Sequence, residues 1–168
     1  MDKQAIYGIV FTEDRKKIIL VKRRDLPVWV LLGGGLDEGE SPEEGVMREV
    51  EEETGLQVKI VRQIAEYLPV NRLTQTTYFF ECIQVGGEAK PSSESKEVAF
   101  FPLDNLPKRL APPFRGWISD ACLAKKEVLI KPTEGVTYWI LIKLLLLHPL
   151  LVLRYFLTKI GIRFNAQD

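Results

Sequence analysis

Three glutamates in one short acidic segment carry the clearest chemical signal of the sequence. Glu49, Glu52 and Glu53 stand at positions i, i+3 and i+4, which places their carboxylates on one face of a helix. Three neighbouring anions repel one another, and a hard divalent cation such as Mg2+ relieves that repulsion because it prefers oxygen ligands. Such a cation also neutralises charge on phosphate oxygens, so the spacing predicts a metal site for phosphoryl chemistry.

Two features beside these glutamates support the same chemistry. Arg48 directly precedes Glu49, and a planar guanidinium is suited to fix the orientation of a carboxylate. Gly33, Gly34 and Gly35 lie shortly before the acidic segment. Backbone without side chains can offer a carbonyl to a metal and leaves room for a diphosphate. We therefore expect the arginine and the glycines to belong to one site with the glutamates.

A helix and a set of strands must position these residues. Ser41, Pro42 and Glu44 form a capping box with proline at the first helical position, and Gly55 provides a stop, so the sequence predicts a helix over 42–53. A second helix is predicted over 112–126. Short β-prone segments predict strands over 5–11, 17–21, 28–32, 56–68, 74–85 and 98–101.

The order of these elements indicates a fold class. The first two strands are separated by a short polar cluster, which predicts a hairpin. Strands alternate with two helices over the rest of this region. We expect an α/β (α+β) fold in which a mixed β-sheet is sandwiched between helices.

The acidic segment and its glycines resemble a complete Nudix box, GX5EX7REUXEEXGU, in which U is an aliphatic residue. Every specified position is filled, by Gly34, Glu40, Arg48, Glu49, Val50, Glu52, Glu53, Gly55 and Leu56. The similarity to the Nudix family extends over about 5–126. It implies a metal-dependent pyrophosphohydrolase, with Mg2+ or Mn2+ as cofactor. The implied substrate is a nucleoside diphosphate linked to another moiety, such as a sugar nucleotide, ADP-ribose or a nucleoside triphosphate.

The resemblance also implies residue roles. Glu49, Glu52 and Glu53 match the metal-binding carboxylates, and Arg48 matches the residue that orients Glu49. Gly33 matches the glycine whose carbonyl often completes the metal site. We expect these residues to form the catalytic and metal-binding set, while Glu40 matches a loop glutamate whose role is more often structural.

Residues outside the box complete the predicted site. Arg23 and Arg24 follow a strand and are candidates for contacts with substrate phosphate, together with Gly34 and Gly35. The general base of the family varies in position, and Glu94 and Glu97 are candidates for it.

Two other functions compete with nucleotide hydrolysis. One is a catalytically silent nucleotide-binding regulator, although a pure binder has no need for three adjacent metal ligands. The other is a membrane-peripheral hydrolase of lipid diphosphates, for which the apolar end of the chain is the support.

That apolar end differs in composition from the rest. We expect a hydrolase domain over 1–130 and an apolar helical extension over 131–168. The longest uncharged run, 144–153, is about half of the ~20 residues that a membrane span needs. The segment 136–162 is therefore interpreted as an interfacial membrane anchor, as a helical pair that packs on the domain or forms a homodimer, or as a span in which Lys143 reaches the membrane surface.

Composition sets the remaining expectations. The 23 basic and 23 acidic residues give a net charge of zero, so we expect no nucleic acid polymer as a partner. Cys82 and Cys122 show no metal-type spacing and fit a reducing compartment. The first residues contain no sustained apolar run of a signal peptide. We expect a cytoplasmic protein, peripheral to the inner face of a membrane if the extension binds lipid.

Overall fold

A computed structural model describes residues 3–93, 95–123 and 125–147, together with residues 149 and 153. The strands are β1 (Gln4–Val10), β2 (Lys17–Arg23), β3 (Trp29–Val30), β4 (Leu32–Gly35), β5 (Leu56–Leu68), β6 (Thr76–Gly87), β7 (Ser95–Pro102) and β8 (Leu129–Pro132). The helices are α1 (Pro42–Thr54), α2 (Phe114–Cys122) and α3 (Tyr138–Leu147).

The strands form two sheets. A five-stranded mixed sheet has the order β4-β1-β6-β5-β8, and a three-stranded sheet has the order β3-β2-β7. In the larger sheet β1 pairs in parallel with β6 and β5 pairs in parallel with β8, while the pairs β1/β4 and β5/β6 are antiparallel. All pairs of the smaller sheet are antiparallel. The predicted mixed α+β class is confirmed.

Helices α1 and α2 cover opposite faces of the larger sheet. A Cβ atom on Gly8 of β1 would lie 3.0 Å from Val46 Cγ2 of α1. On the neighbouring residue, the Tyr7 ring lies 5.4 Å from the Trp117 ring of α2. Successive residues of a strand point to opposite faces, so the two helices enclose the sheet as the sequence predicted.

One hydrophobic core joins both sheets to these helices. Ile6 of β1, Leu20 of β2, Val50 of α1 and Phe80 of β6 are almost completely buried, and Trp117 of α2 is 5% exposed. Burial of each such side chain stabilises the fold by about 1.5–3 kcal/mol. This core fixes α1 against β1 and so positions the acidic segment.

Three details of the predicted elements were wrong. The first two strands do not form a regular hairpin, because β1 and β2 belong to different sheets, and an isolated antiparallel bridge joins Phe11, just after β1, to Ile18. The segment 28–32 splits into β3 and β4, again in different sheets. Helix α2 ends at Cys122 instead of 126. The pairing partners of β1 and β2 are the distant strands β6 and β7, and the local spacing of residues does not encode such long-range pairing.

Strand β8 and helix α3 follow the second helix. Strand β8 pairs with Ala65–Leu68 of β5 and therefore extends the larger sheet across the predicted boundary at 130. The division at 130 stays a prediction. No helix within the described residues is long and apolar enough to cross a bilayer. Much of the predicted partner segment 136–162 lies outside the described residues.

Candidate active site

Helix α1 begins and ends at strong local signals. The Ser41 hydroxyl accepts a hydrogen bond from the Glu44 N–H at 3.3 Å, and the Glu44 carboxylate accepts one from the Ser41 N–H at 3.0 Å. The helix ends at Thr54, and the N–H of Gly55, in a left-handed conformation, donates to the Glu51 carbonyl. The predicted helix is confirmed. Val50 is completely buried in the core and holds the helix against the sheet, where Glu49 and Glu53 contact the glycines of β4.

Glu53 binds the backbone of the glycine strand. The Gly33 N–H donates to Glu53 Oε2 at 2.9 Å, which joins the last turn of α1 to β4. Gly33 has a φ of 143°, and a Cβ atom here would lie 2.1 Å from the Ile6 carbonyl oxygen. Only glycine is compatible with this backbone and this approach to β1.

Glu49 lies directly against the next glycine. A Cβ atom on Gly34 would lie 2.7 Å from Glu49 Oε1 and 2.9 Å from Glu49 Oε2. Gly35, one residue further, has no atom within 4 Å of the same position. The absence of a side chain at Gly34 therefore makes room for the Glu49 carboxylate, whose side chain is only 14% exposed.

Arg48 connects the glutamates of α1 to the preceding loop. Its guanidinium donates to Glu40 from Nε to Oε1 at 2.8 Å and from Nη2 to Oε2 at 2.9 Å, a two-point contact. The same group donates from Nη1 to Glu49 Oε1 at 3.0 Å and to Glu52 Oε2 at 3.2 Å. Hydrogen bonds to Glu40, the largest cause, and to Glu49 raise the pKa of Arg48, and Arg48 lowers the pKa of Glu40.

The three glutamates have different partners. Glu49 faces Gly34, Glu53 accepts from the Gly33 N–H, and Glu52 is bound by Arg48 with its side chain 61% exposed. Within the part of the chain that the structure describes, no group of three or more His, Cys, Asp or Glu side chains is gathered closely enough to hold a metal. The use of these three carboxylates as metal ligands therefore stays a prediction. Arg48 Nη1 donates to both Glu49 and Glu52, while Glu53 is bound by the Gly33 N–H.

The donor chemistry nevertheless fits a divalent cation. Glu49 and Glu53 project from neighbouring turns of one helix toward glycine backbone, Glu52 lies on the same helix, and hard cations such as Mg2+ prefer such oxygen ligands. Arg48 neutralises part of the negative charge without blocking every carboxylate oxygen. These residues therefore suit a metal that brings its own waters and a phosphate ligand.

Two supporting residues were missed by the sequence analysis. Ser95, 2% exposed at the start of β7, donates its hydroxyl hydrogen bond to the Glu53 backbone carbonyl at 2.8 Å. Tyr7 pairs with Gly33 between β1 and β4, and its ring lies beside the position that a Cβ of Gly33 would take. Both contacts join residues far apart in the chain, so no local pattern could have revealed them.

The predicted phosphate-binding arginines have partners of their own. Arg23 contacts Asp25 through Nε at 2.8 Å and Nη2 at 2.5 Å. The hydrogen bond to Asp25 is the largest cause of the raised pKa of Arg23, and the negative charge of nearby Glu53 adds to it. Arg24 donates to the Ser92 carbonyl at 3.0 Å and 3.2 Å. Arg23 therefore lies within the electrostatic influence of Glu53.

The two candidates for the general base differ in what the structure shows. Glu97 lies on β7, half-exposed, with its Oε2 atom 3.6 Å from Lys22 Nζ. It follows Ser95 by two residues on the strand that contacts the end of α1. Glu94 lies outside the described residues.

Fold and site together place a glycine strand against a helix that carries carboxylates. The family model of the NUDIX domain matches residues 2–121, which includes α1, β4 and all of the site described above. The chain belongs to the Nudix family.

Individual relatives agree with this assignment. The chain is 38% identical over 110 residues to an ADP-ribose pyrophosphatase of Methanocaldococcus jannaschii, covering 62% of this chain and 64% of that protein. It is 36% identical over 107 residues to a MutT-like protein of Streptomyces ambofaciens, covering 64% and 68% of the two chains. The match thus spans somewhat less than two thirds of the first of these proteins.

A solved structure shows the same architecture. The crystal structure of an ADP-ribose pyrophosphatase from Streptococcus suis is similar with a TM-score of 0.63 at 30% sequence identity. The match covers 77% of this chain and 99% of that chain. The fold predicted from the sequence is therefore confirmed by comparison as well as by the sheet topology.

Proposed function

We propose that this chain hydrolyses the pyrophosphate bond of a nucleoside diphosphate linked to another moiety, with Mg2+ or Mn2+ as cofactor. The observation that supports the proposal is the direct contact between α1 carboxylates and β4 glycines. Glu53 accepts from the Gly33 N–H, and Glu49 fills the space left by Gly34. We assign Glu49, Glu52, Glu53 and the Gly33 carbonyl as metal ligands.

The protein residues have separate tasks in this chemistry. A bound divalent cation neutralises charge on the diphosphate and lowers the pKa of an attacking water. Glu49, Glu52 and Glu53 hold that cation, while Arg48 keeps Glu49 oriented through its guanidinium. Glu40 holds Arg48 at two points, so the orientation is preorganised before substrate arrives.

The substrate enters beside the glycine strand in this proposal. Gly35 leaves the backbone of β4 accessible to a diphosphate beside Gly34, and Arg23 supplies positive charge close to Glu53. We propose ADP-ribose as the first compound to test, because the relatives from M. jannaschii and S. suis carry the name ADP-ribose pyrophosphatase. Its hydrolysis would consume one water and release AMP and ribose 5-phosphate.

A proton acceptor is also required for the attacking water. We propose Glu97, because β7 is attached to the end of α1 through Ser95 and Glu53. Its ion pair with Lys22 is half-exposed and is therefore worth little in stability. The Glu97→Gln variant should lower kcat more than it raises KM if Glu97 accepts the proton.

A panel of diphosphates tests the proposal. The full chain is assayed with ADP-ribose, a sugar nucleotide and a nucleoside triphosphate, each with Mg2+ and with Mn2+. Turnover of at least one compound should fall by about 100-fold or more in the Glu52→Gln and Glu53→Gln variants. The matched control is Glu51→Gln, the same change on an exposed residue of the same helix.

Two outcomes would contradict the proposal. Equal turnover by all three variants would assign the chemistry to other residues. Binding of a nucleotide without any turnover would favour the silent regulator, since a binder needs the fold but not the metal-dependent step.

A further inference from the structure

One exposed surface of the molecule is rich in large apolar side chains. Helix α3 presents Trp139, Ile142 and Leu146 with 73%, 46% and 78% of their surfaces exposed. These residues stand at i, i+3 and i+7, so they lie on one face of the helix. Leu153, seven residues after Leu146, is 54% exposed.

A loop beside the start of α3 extends this surface. The Asn71 side chain donates from Nδ2 to the Val136 carbonyl at 2.8 Å, which ties the β5–β6 loop to the residues before α3. Val70 and Leu73 of the loop are 47% and 38% exposed, on either side of that contact. We define the docking surface as Val70, Arg72, Leu73, Tyr138, Trp139, Ile142, Lys143 and Leu146.

The charges of this region have one sign. Arg72 and Lys143 are exposed on the docking surface. From residue 135 to residue 167 the sequence contains no Asp or Glu, and its basic residues are Lys143, Arg154, Lys159 and Arg163. In a chain of zero net charge, this makes the C-terminal segment locally cationic. An anionic surface complements it.

We propose that the docking surface binds the surface of an anionic lipid bilayer. Exposed Trp and Tyr rings favour the boundary between lipid headgroups and hydrocarbon, and an apolar helix face gains free energy by entering it. Each basic residue near an anionic leaflet adds electrostatic attraction to it. A second copy of the chain fits less well, because a symmetric contact through α3 would place cationic segments together without an acidic partner between 135 and 167. The proposal does not depend on the hydrolytic function.

Vesicle flotation of the full chain tests this proposal. We expect the protein to float with vesicles of phosphatidylcholine and phosphatidylserine, and about tenfold less with phosphatidylcholine alone. Added salt should release it, because the attraction of the basic residues is screened. The fluorescence of Trp139, the most exposed tryptophan, should shift to shorter wavelength on binding.

Two variants separate the apolar and the charged contributions. The Trp139→Ser/Leu146→Ser variant should reduce binding by about tenfold or more, because it removes the two most exposed apolar side chains of α3. The Arg72→Glu/Lys143→Glu variant should reduce binding to vesicles that contain phosphatidylserine and leave binding to phosphatidylcholine vesicles unchanged. The matched control is Ile83→Ser/Val85→Ser, which changes two half-exposed residues at the far end of the β5–β6 pair and should leave binding unchanged.

Defined results would overturn the proposal. The proposal fails if the intact chain floats with neither kind of vesicle. It also fails if the parent and the Trp139→Ser/Leu146→Ser variant float equally well. The docking surface would instead belong to a contact with a second copy if the parent does not bind vesicles and sediments as a homodimer, and if the Trp139→Ser/Leu146→Ser variant sediments as a monomer. Flotation measures no hydrolysis, so either result leaves the proposed enzymatic function to its own assay.

Discussion

The Glu53 carboxylate accepts a hydrogen bond from the backbone N–H of Gly33, twenty residues earlier in the chain, at 2.9 Å. This bond joins the end of the acidic helix to the glycine strand. The neighbouring contact, Glu49 on Gly34, repeats the arrangement one turn earlier along α1. Helix and strand therefore form one unit, and a change in either should alter cation binding.

Gly34→Ala should disturb the site without unfolding the protein. The new Cβ would lie 2.7 Å from Glu49 Oε1, and the end of a flexible side chain can move away. We expect Mn2+ affinity, measured by calorimetry, to fall by about tenfold or more as a carboxylate is displaced. Gly35→Ala is the matched control, because its Cβ meets no atom within 4 Å. Equal affinity of the two variants would show that the Glu49 contact with Gly34 has no role.

Glu40→Gln should reduce activity although Glu40 is not proposed as a metal ligand. The change weakens the two-point contact that holds Arg48, which in turn orients Glu49. We expect kcat/KM for the best substrate to fall by about tenfold, in line with the loss of a residue that orients a ligand. Glu43→Gln, an exposed change in the same helix region, is the control. Unchanged kinetics in Glu40→Gln would remove Glu40 and its contact from the mechanism.

Arg62→Leu should destabilise the fold. Glu81 is 4% exposed on β6, where it accepts from Arg62 Nε at 2.9 Å and pairs with Arg15. Arg62 also donates to the Ala121 carbonyl at the end of α2. Removing one partner of a buried carboxylate costs about 3 kcal/mol. Urea unfolding should show this loss, whereas Lys59→Leu, an exposed change on the same strand, should stay within about 0.5 kcal/mol of the parent.

The two cysteines should differ in reactivity toward a thiol reagent. Burial raises the pKa of the Cys82 thiol to about 12, and the side chain is 2% exposed. Burial also raises the pKa of Cys122, but this residue is exposed. The thiolate is the reactive form, so labelling of Cys122 should accelerate as pH rises through and above the ordinary cysteine range.

The Cys122→Ser variant isolates the buried thiol. The remaining thiol, Cys82, should not react in the folded protein and should react once denaturant unfolds it. The raised pKa of Cys82 has a further consequence at high pH. As pH rises, the unfolded chain loses the thiol proton at a lower pH than the folded protein does, which favours unfolding. The free energy of unfolding should therefore fall as pH rises above about 8.5, the ordinary cysteine value. Rapid labelling of folded Cys122→Ser near neutral pH would contradict the burial of Cys82.

The sequence determined the parts of this protein that depend on near neighbours. The helix over 42–53 follows from Ser41, Glu44 and Gly55, whose capping hydrogen bonds join residues three or four positions apart. The Nudix box placed Arg48 and the three glutamates on that helix. It thereby predicted the family and the class of reaction.

The tertiary structure alone decided which distant residues meet. The sequence predicted a hairpin of β1 and β2, but β1 pairs with β6 and β2 with β7, because burial of both sheets around one core outweighs the short connection between them. Ser95 and Tyr7 support the site through contacts across the sheets, Glu53 contacts Gly33, Glu49 lies against Gly34, and Arg48 binds both Glu49 and Glu52. The packing of α1 against β1 brings the helix to β4, and residue spacing does not encode that packing.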